Sequence, residues 1–408
     1  MSRIVLGVSA GIAAYKACIL LRGLREAGHQ VRVVPTPHSL QFVGAATWAA
    51  LSGEPVHSGV FDDAAVVEHV SIGRDAELVV IAPATADLLA RAAAGRADDL
   101  LATVLLTARC PVVFVPAMHT EMWLHPAPQA NVATLRARGC AVLPPASGRL
   151  TGPDSGPGRL PEPDDIQRTL EAILAAPELT RQLADQDLAG LHVVVSAGGT
   201  RESLDPVRYL GNESSGLMGV GIARAAASRG AQVTLVGANL QVAAPAGVEV
   251  VPVGSVDELN AAMRAGAAKA DLVVMAAAVS DFTVAEPRPE KIKKDGDAGL
   301  SLELVQTVDV LAGLTAARRP GQVVVGFAAE TAADDADLLG LGAAKLARKG
   351  CQLLVLNDVS GGAVFGSTHN QVIVLSAEGE VARASGGKTA VAHTILDAAL
   401  AVRERNPL

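Results

Sequence analysis

Short apolar runs that end in small residues alternate along the chain with stretches of helical periodicity. The clearest run spans 192–199, where an apolar, β-branched stretch gives way to two glycines. A polar loop follows, then a Gly/Ser turn ending at Gly216, a helical pattern that stops at Gly230, and another apolar run at 232–236. A nucleotide- or phosphate-binding α/β domain begins in this way. Because this one begins halfway along the chain, the residues before it must fold by themselves.

The first half carries its own apolar runs, at 4–8, 30–34, 77–87 and 111–118, separated by predicted helices. This alternation predicts a parallel, doubly wound sheet, with ligands bound where the loops at the carboxyl ends of the strands converge. A chain of 408 residues also exceeds the size at which a single core stops growing. A helix with acidic residues in its first turn and a charged crossing segment at 175–191 follow, so we place the boundary near Leu188, giving domains 1–187 and 188–408.

Composition narrows the classes of function. Hydrophobic residues make up 50% of the chain and aromatic residues only 2%, so the cores must be built from Ala, Val and Leu. The net charge of −8 argues against a nucleic-acid partner held by phosphate contacts, although a local pocket could still bind a small anion. The four cysteines have no paired spacing and no apolar run reaches the ~18 residues of a membrane span, so we expect a cytoplasmic protein without a membrane partner.

Candidate chemistry in the first half lies in its loops. The small residues at 9–16 would let a phosphate approach a helix N-terminus, but on spacing alone a tight turn without a ligand is equally compatible. His69 precedes a predicted strand, Met and Trp cluster around His119 in a predicted loop, and 156–162 carries an Arg and a Glu in a segment expected to be mobile. Taken singly, each of these features is more often structural than functional.

Together, four motifs resemble the flavin-containing cysteine decarboxylases. They lie at 9–16, 82–87, 116–123 (Pro-x-Met-x-x-x-Met-Trp) and 156–162 (Gly-x-Gly-Arg-x-x-Glu), in family order, and the resemblance covers roughly 3–170. It implies a flavodoxin-like domain, FMN bound between the subunits of a trimer, and His69 as the active-site histidine. The FMN-binding residues that it implies are Ser9, Gly11, Ile12, Ala82, Pro83, Ala84 and Thr85; the substrate-binding residues are Met118, His119, Met122 and Arg159.

Two positions depart from that family pattern. His119 stands where the family usually has an asparagine that contacts the substrate carboxylate, and a histidine could still hydrogen-bond an anion. The family's substrate loop also carries a cysteine thought to donate a proton, whereas 150–155 contains none. Asp154 is a candidate for the replacing acid, and altered turnover is the alternative.

The second half places lysines after a strand of nucleotide-binding type. The apolar run at 271–278 ends in small residues, and Lys291, Lys293 and Lys294 follow after Asp281. Such a cluster could be a solvated face, but its position favours a triphosphate clamp with a metal ion. Lys345 and Lys349 lie four residues apart, on one face of a predicted helix.

These features resemble the phosphopantothenate–cysteine ligases. The matching motifs lie at 196–202, 205–208, 212–216, 277–282, 290–294, 326–331 and 357–359, and the resemblance covers about 190–405. It implies a Rossmann-like domain that uses CTP, catalysis by Asn212 and Lys291, and Mg²⁺ at Asp281. The implied substrate-binding residues are Arg208, Ser214, Ser215 and Gly216, and the implied nucleotide-binding residues are Met275, Ala276, Ala277, Asp281, Lys291, Val308, Asp309, Val310, Leu311, Phe327, Lys345 and Lys349. Leu217 departs from the family, which has a lysine there.

The two resemblances imply successive reactions of coenzyme A biosynthesis. The ligase would activate the carboxylate of 4′-phosphopantothenate as an acyl-cytidylate, which the amine of cysteine then attacks. The decarboxylase would use FMN as a recycled electron sink for loss of CO₂, giving 4′-phosphopantetheine. Trimer contacts by the first domain and dimer contacts by the second imply a hexamer or dodecamer. Two alternatives remain: a flavodoxin-like regulatory binding subunit without turnover, and a decarboxylase with a degenerate ligase half.

Overall fold

The computed structural model describes residues 1–59, 68–149, 154–245, 247–293, 299–359, 367 and 369–405. The chain forms two compact units, Met1–Asp187 and Leu188–Leu408. Within the described residues, no helix is long and apolar enough to cross a membrane.

The first unit alternates strands and helices. Its strands are β1 (Arg3–Val8), β2 (Gln30–Pro35), β3 (Leu78–Ala84), β4 (Val112–Pro116), β5 (Ala141–Val142), β6 (Ala146–Arg149) and β7 (Ser155–Arg159). Its helices are α1 (Ala14–Glu26), α2 (Ala45–Ser52), α3 (Glu68–Asp75), α4 (Ala86–Ala93), α5 (Leu100–Thr107), α6 (Thr120–Leu124), α7 (Pro126–Ala137), α8 (Pro163–Ala175) and α9 (Leu179–Asp185).

Five strands form a parallel sheet in the order β2-β1-β3-β4-β5. Every residue of β3 is buried, as expected for an inner strand covered on both faces. Since β1 and β3 are neighbours with Val5 paired to Val79, the loops that follow them emerge side by side at the carboxyl edge of the sheet. The remaining two strands, β6 and β7, form an antiparallel hairpin.

Three local predictions in this unit were wrong. His69 lies in helix α3 and does not precede a strand, because Val70-Ser71-Ile72 is too short to separate the two periodicities and α3 packs against α5. Met122 and Trp123 lie in the short helix α6 rather than in a loop. Residues expected to be mobile at 156–159 form strand β7, paired with β6. The crossing segment at 175–191, for which no helix was predicted, contains helix α9, and the division between the two compact units falls within this segment.

The second unit repeats the alternation on a larger scale. Its strands are β8 (His192–Gly198), β9 (Arg201–Ser203), β10 (Tyr209–Gly211), β11 (Gln232–Ala238), β12 (Glu249–Val253), β13 (Leu272–Met275), β14 (Phe282–Val284), β15 (Leu304–Gln306), β16 (Val323–Glu330), β17 (Leu353–Asp358), β18 (His369–Ser376) and β19 (Gly379–Gly387). Its helices are α10 (Leu217–Ser228), α11 (Val256–Ala267), α12 (Val310–Ala316), α13 (Asp335–Lys349) and α14 (Lys388–Arg405).

Its main sheet has eight strands in the order β12-β11-β8-β13-β16-β17-β18-β19. The strands from β12 to β17 are parallel, as predicted for a doubly wound domain, whereas β18 and β19 pair antiparallel and add an edge that the sequence did not predict. Helices α10 and α14 share one core with the sheet, and α11, α12 and α13 share the other. Helices therefore cover both faces, as a doubly wound fold requires.

The strand order reverses at β8. The chain runs from β8 to β11 on one side and later returns to β13 on the other, so the loops after β8 and β13 meet at a topological switch point. Ligands in open α/β sheets bind at this kind of position.

Candidate active sites

In the first unit, the loops after β1 and β3 are joined through Ser9. Its hydroxyl donates to the carbonyl of Pro83 (2.8 Å) and accepts from the backbone N–H of Thr85 (2.9 Å). Ser9 is buried, so these bonds are shielded from water. Thr85 in turn caps helix α4 by accepting from Leu88 N (3.5 Å). Two predicted cofactor loops are thus held in one fixed arrangement by a single buried side chain.

His69 is the second element of this site. Its backbone carbonyl accepts from the hydroxyl of Thr107 (2.8 Å), which ties the start of α3 to α5. Its ring Nδ1 is buried, and it has no hydrogen-bond partner among the described residues. A buried polar atom without a partner is unfavourable, and a bound ligand can supply the missing bond.

The loop after β4 packs against strand β7. Met118 N donates to the carbonyl of Gly158 (2.9 Å). Gly158 has a φ of +149°, and a Cβ there would lie 2.3 Å from Met118 O, so the close approach requires glycine. Arg159 on β7 lies 3.5 Å from Glu162, which also pairs with Lys16 of α1 at 2.8 Å.

The two departures from the decarboxylase pattern lie together. His119 Nε2 is 3.6 Å from a carboxylate oxygen of Asp154, and His119 Nδ1 contacts the carboxylate of Glu121. A backbone hydrogen bond and the contact with His119 lower the pKa of Glu121. The predicted substrate-loop residues 150–153 lie outside the described part of the chain. Asp154 as the replacing acid stays a prediction, with His119 now beside it.

Apolar side chains of the predicted flavin and substrate sites are exposed in the single chain. Ile12 is 67% exposed and Met122 is 48% exposed. Tyr15 and Ile19 on α1 are also exposed, and they lie about one helical turn apart. These described residues therefore present exposed apolar side chains.

In the second unit, most of the predicted ligase residues line one cavity of about 1130 Å³ at the carboxyl edge of the sheet. The predicted residues in its lining are Asn212, Ser214, Ser215, Gly216, Met275, Ala276, Ala277, Asp281, Val308, Asp309, Val310, Leu311, Phe327, Lys345 and Lys349. Two predicted residues, Lys291 and Arg208, do not line it. The cavity also contains residues that sequence reasoning did not assign to the site: Met218, Arg348, Asn370 and Lys388.

Backbone bonds at the switch point shape the floor of this cavity. Ala278 N donates to Gly198 O (2.8 Å), and Thr200 N donates to Ala278 O (3.1 Å). Gly198 has a φ of +87°, and a Cβ there would lie 1.9 Å from Ala238 O. The small residues after β8 are thus required because three strand ends approach one another closely.

The side chain of Asn212 and the turn after it face the same cavity. Asn212 Nδ2 donates to Val279 O (2.9 Å), which fixes the amide beside the loop that follows β13. Gly216, with a φ of +84°, is the N-cap of α10 and has no side chain to cap it, although the hydroxyl of Ser215 accepts from Leu217 N at 3.4 Å. Uncapped backbone N–H groups at a helix start favour an anion.

The two lysines of α13 already have carboxylate partners. Lys345 Nζ lies 2.8 Å from Glu330, and Lys349 Nζ lies 2.5 Å from Asp309. Burial tends to raise the pKa of Asp309, but hydrogen bonds from Lys349 and from Ala312 N lower it. A nucleoside triphosphate would therefore compete with the carboxylates of Glu330 and Asp309 for these ammonium groups.

Lys291 is exposed, but the backbone next to it is anchored by Asp205. The buried carboxylate of Asp205 accepts from Ile292 N (3.1 Å) and Arg208 N (2.7 Å), and it pairs with the guanidinium of Arg208. Burial tends to raise the pKa of Asp205, yet these hydrogen bonds outweigh it and lower the pKa to about 2. Lys293 follows in the same loop, and Lys294 lies outside the described residues.

If Lys291 is catalytic, as the resemblance implies, we expect Asp205→Ala to slow the implied ligase reaction roughly 10- to 100-fold, because the anchor of the Lys291 loop is lost and misplacement of a catalytic group by about 1 Å has an effect of this size. Pyrophosphate release measures it. Asp257→Ala is a matched control, since Asp257 is an exposed acid of the same unit outside the cavity. Wild-type turnover by Asp205→Ala would contradict the anchoring role.

Metal binding at Asp281 stays a prediction. Among the residues that the structure describes, no group of three or more His, Cys, Asp or Glu side chains could hold a metal ion. Asp281 lines the cavity, and Mg²⁺ commonly uses one or two carboxylates with phosphate oxygens as its other ligands.

Comparisons with known proteins cover both units. The family model "Flavoprotein" matches residues 1–175, and "DNA/pantothenate metabolism flavoprotein C-terminal domain" matches 188–402. The chain is 56% identical over 402 residues to the "Coenzyme A biosynthesis bifunctional protein CoaBC" of Mycolicibacterium smegmatis, with 97% of this chain and 96% of that protein covered. The protein of the same name from Vibrio parahaemolyticus is 39% identical over 399 residues, covering 97% of each chain.

Solved structures resemble the two units separately. The C-terminal domain of a coenzyme A biosynthesis bifunctional protein is 31% identical, with 54% of this chain and 99% of that chain covered and a TM-score of 0.45. A PPC decarboxylase mutant complexed with pantothenoylaminoethenethiol is 28% identical, with 43% and 99% covered and a TM-score of 0.40.

Proposed function

The chain belongs to the family of coenzyme A biosynthesis bifunctional proteins, and from that membership we propose which unit carries each reaction and which residues perform it. The protein is an enzyme of coenzyme A biosynthesis with decarboxylase and ligase activities, and it is an FMN flavoprotein. Its substrates are derived from pantothenate and cysteine. The decarboxylase site lies in the first unit and the ligase site in the second.

The ligase reaction uses CTP to activate 4′-phosphopantothenate. A carboxylate oxygen attacks the α-phosphorus of CTP and pyrophosphate leaves; the amine of cysteine then attacks the acyl carbon and CMP leaves. Asn212, oriented by Val279 O, holds the acyl group. Lys291 stabilises the charge that develops on the α-phosphate, and Asp281 is the residue that would hold Mg²⁺.

The remaining ligase residues form two groups, one that binds 4′-phosphopantothenate and one that binds the nucleotide. The turn formed by Ser214, Ser215 and Gly216 takes the substrate phosphate, with Arg208 nearby in sequence. The nucleotide lies against the small residues after β13 and reaches Lys345 and Lys349, which exchange their carboxylate partners for phosphate oxygens.

One observation carries the ligase assignment: a single cavity at the switch point of the second sheet brings together Asn212, the turn at 214–216 and both lysines of α13. The test is pyrophosphate release by the full chain. Sustained release over many turnovers that requires 4′-phosphopantothenate, CTP and cysteine together supports the assignment, because cysteine must consume the acyl-cytidylate before the next turnover. Release with ATP but not with CTP would overturn the choice of CTP. A chain that decarboxylates but releases no pyrophosphate would instead have a degenerate ligase half.

The residues of the first unit fit a flavin phosphate and a substrate carboxylate. Ser9 fixes the loops after β1 and β3, α1 begins without a side-chain cap, and His69 Nδ1 is buried without a partner among the described residues. When bound, FMN supplies a reversible two-electron oxidation that makes loss of CO₂ possible. His69 holds or moves a proton at Nδ1, and His119 with Arg159 orients the substrate carboxylate.

We expect the full chain to assemble through both units. Closed symmetry that combines a threefold contact of the first unit with a twofold contact of the second requires a hexamer or a dodecamer. The exposed Ile12, Tyr15 and Ile19 at the start of α1 supply an apolar surface for the threefold contact. Light scattering at micromolar concentration measures the mass, and a monomer or simple dimer would contradict this expectation.

A further inference from the structure

Lys388 is a charged residue of the ligase cavity that no motif assigned. It is the first residue of α14, directly after β19, and it lines the cavity that contains Asn212 and Gly216. Its side chain is half-buried, and burial lowers its pKa. Within the described residues its ammonium group has no hydrogen bond and no ion pair, in contrast to Lys345 and Lys349. A half-buried charge without a counter-ion is unfavourable.

The position of Lys388 at the start of its helix is a second unfavourable electrostatic interaction. Helix α14 has 18 residues, and its first turn carries no acidic residue. A lysine there faces the positive end of the helix dipole, where anions are preferred. Local rules of this kind are broken most often at functional sites, because a ligand supplies the compensating interaction.

The packing of α14 against α10 determines the side of the cavity on which Lys388 lies, and so which ligand it can contact. Helices α10 and α14 share one core through Val220, Ile222, Val391 and Ile395, on the sheet face opposite α13. The start of α14 touches α10 near its N-terminus, since a Cβ on Gly221 would lie 3.7 Å from Lys388 O. Lys388 therefore lies on the side of the cavity that holds Ser214, Ser215 and Gly216, and the two nucleotide lysines lie on the other side.

The first residues of α10 supply no positive charge at this end of the cavity, and the charged residue beside the 214–216 turn is the acid Glu213. Leu217 and Met218, the first residues of α10, are uncharged, and Asn370 Nδ2 lies 3.9 Å from Met218 Sδ. An anion at this end would meet the charge of Lys388.

We infer that Lys388 binds the phosphate monoester of 4′-phosphopantothenate, together with the backbone of the 214–216 turn. This inference rests on the proposed ligase function and deepens it by assigning a specificity residue. The ammonium group supplies the positive charge that Leu217 does not, and it allows the site to prefer the phosphorylated substrate over free pantothenate.

The test compares Lys388→Met and Lys388→Arg with the wild-type full chain. Methionine keeps the length of the side chain and removes the charge; arginine keeps the charge. For Lys388→Met we expect KM for 4′-phosphopantothenate to rise on the order of 10- to 100-fold, the range for a lost hydrogen bond to a charged group. KM for CTP stays within about twofold, and Lys388→Arg recovers most of the loss. The preference for 4′-phosphopantothenate over pantothenate in kcat/KM falls by the same factor.

Lys269→Met is the matched control, since Lys269 is an exposed lysine of the same unit outside the cavity. Inorganic phosphate, as a competitor of 4′-phosphopantothenate, should inhibit Lys388→Met less than the wild type. An unchanged KM for 4′-phosphopantothenate, or a rise no larger than the rise in KM for CTP, would overturn the inference. If the wild type itself released no pyrophosphate, the proposed ligase function would fail instead, and the two failures are distinguishable.

Discussion

Lys291→Gln should slow amide formation roughly 10²–10³-fold while decarboxylation by the same chain continues at the wild-type rate. Under the proposed assignment of Lys291, the substitution removes the positive charge that stabilises the α-phosphate during attack by the substrate carboxylate. It leaves the loop in place, because the loop is held by the backbone bond from Ile292 N to Asp205 (3.1 Å) and not by the lysine side chain. The separation of the two activities follows from the division of the chain into two compact units.

The measurement is pyrophosphate release with CTP, 4′-phosphopantothenate and cysteine, beside CO₂ release from 4′-phosphopantothenoylcysteine. Lys293→Gln is the matched control, since Lys293 is an exposed lysine two residues further along the same loop. We expect this control to change the rate only a few-fold if Lys291 alone reaches the nucleotide. If Lys291→Gln forms the amide as fast as the wild type, the lysine cluster is a solvated face.

His69→Asn should give a yellow protein that retains FMN but loses decarboxylation, by roughly 10²–10⁴-fold if His69 acts as a general acid or base. The reason is the buried Nδ1, which has no partner among the described residues, so that the ring is available to a substrate. The substitution leaves the bond from Thr107 to the carbonyl of residue 69 (2.8 Å), so helix α3 should keep its place against α5.

Three readings separate a catalytic role from a structural one. The absorbance of bound flavin reports the integrity of the cofactor site, CO₂ release reports the reaction, and pyrophosphate release reports the second unit. His38→Asn serves as the control, because His38 is an exposed histidine of the same unit. Near-wild-type CO₂ release by the yellow His69→Asn protein would refute the assignment; yellow wild-type protein without any turnover would favour a regulatory binding subunit.

Much of the fold could be predicted because it depends on short-range patterns. Fully apolar runs such as Leu78–Ala84 are buried inner strands, and small residues after them mark the loops at the carboxyl edge. The antiparallel pair β18 and β19 could not be predicted in this way. Whether a strand is parallel or antiparallel depends on the strand with which it pairs, and a single apolar run in the sequence does not indicate that partner. His69 shows the same limit, since three alternating residues fit a helix as well as a strand.

For the candidate ligase site, the sequence predicted most of the residues but not the contacts between them. Fifteen of the predicted residues line one cavity because the strand ends, loops and helices that carry them meet at the carboxyl edge of one sheet. Their pairings were not predictable. Asp309 with Lys349 and Asp205 with Ile292 join residues 40 and 87 positions apart in the chain, and no local pattern encodes such contacts.

The sequence by itself determined the two α/β units, the positions of their ligand loops and the family resemblance of each, because periodicity, turn residues and motifs act over a few neighbouring residues. Only the tertiary structure decided that Asp154 lies beside His119, that the α13 lysines carry carboxylate partners, and that Lys388 lines the cavity without a partner among the described residues. Each of these depends on a distance between residues brought together by sheet order and helix packing. Folding brings a charged side chain close to a partner that is distant in sequence. The sequence pattern alone defines only the neighbours within about one helical turn.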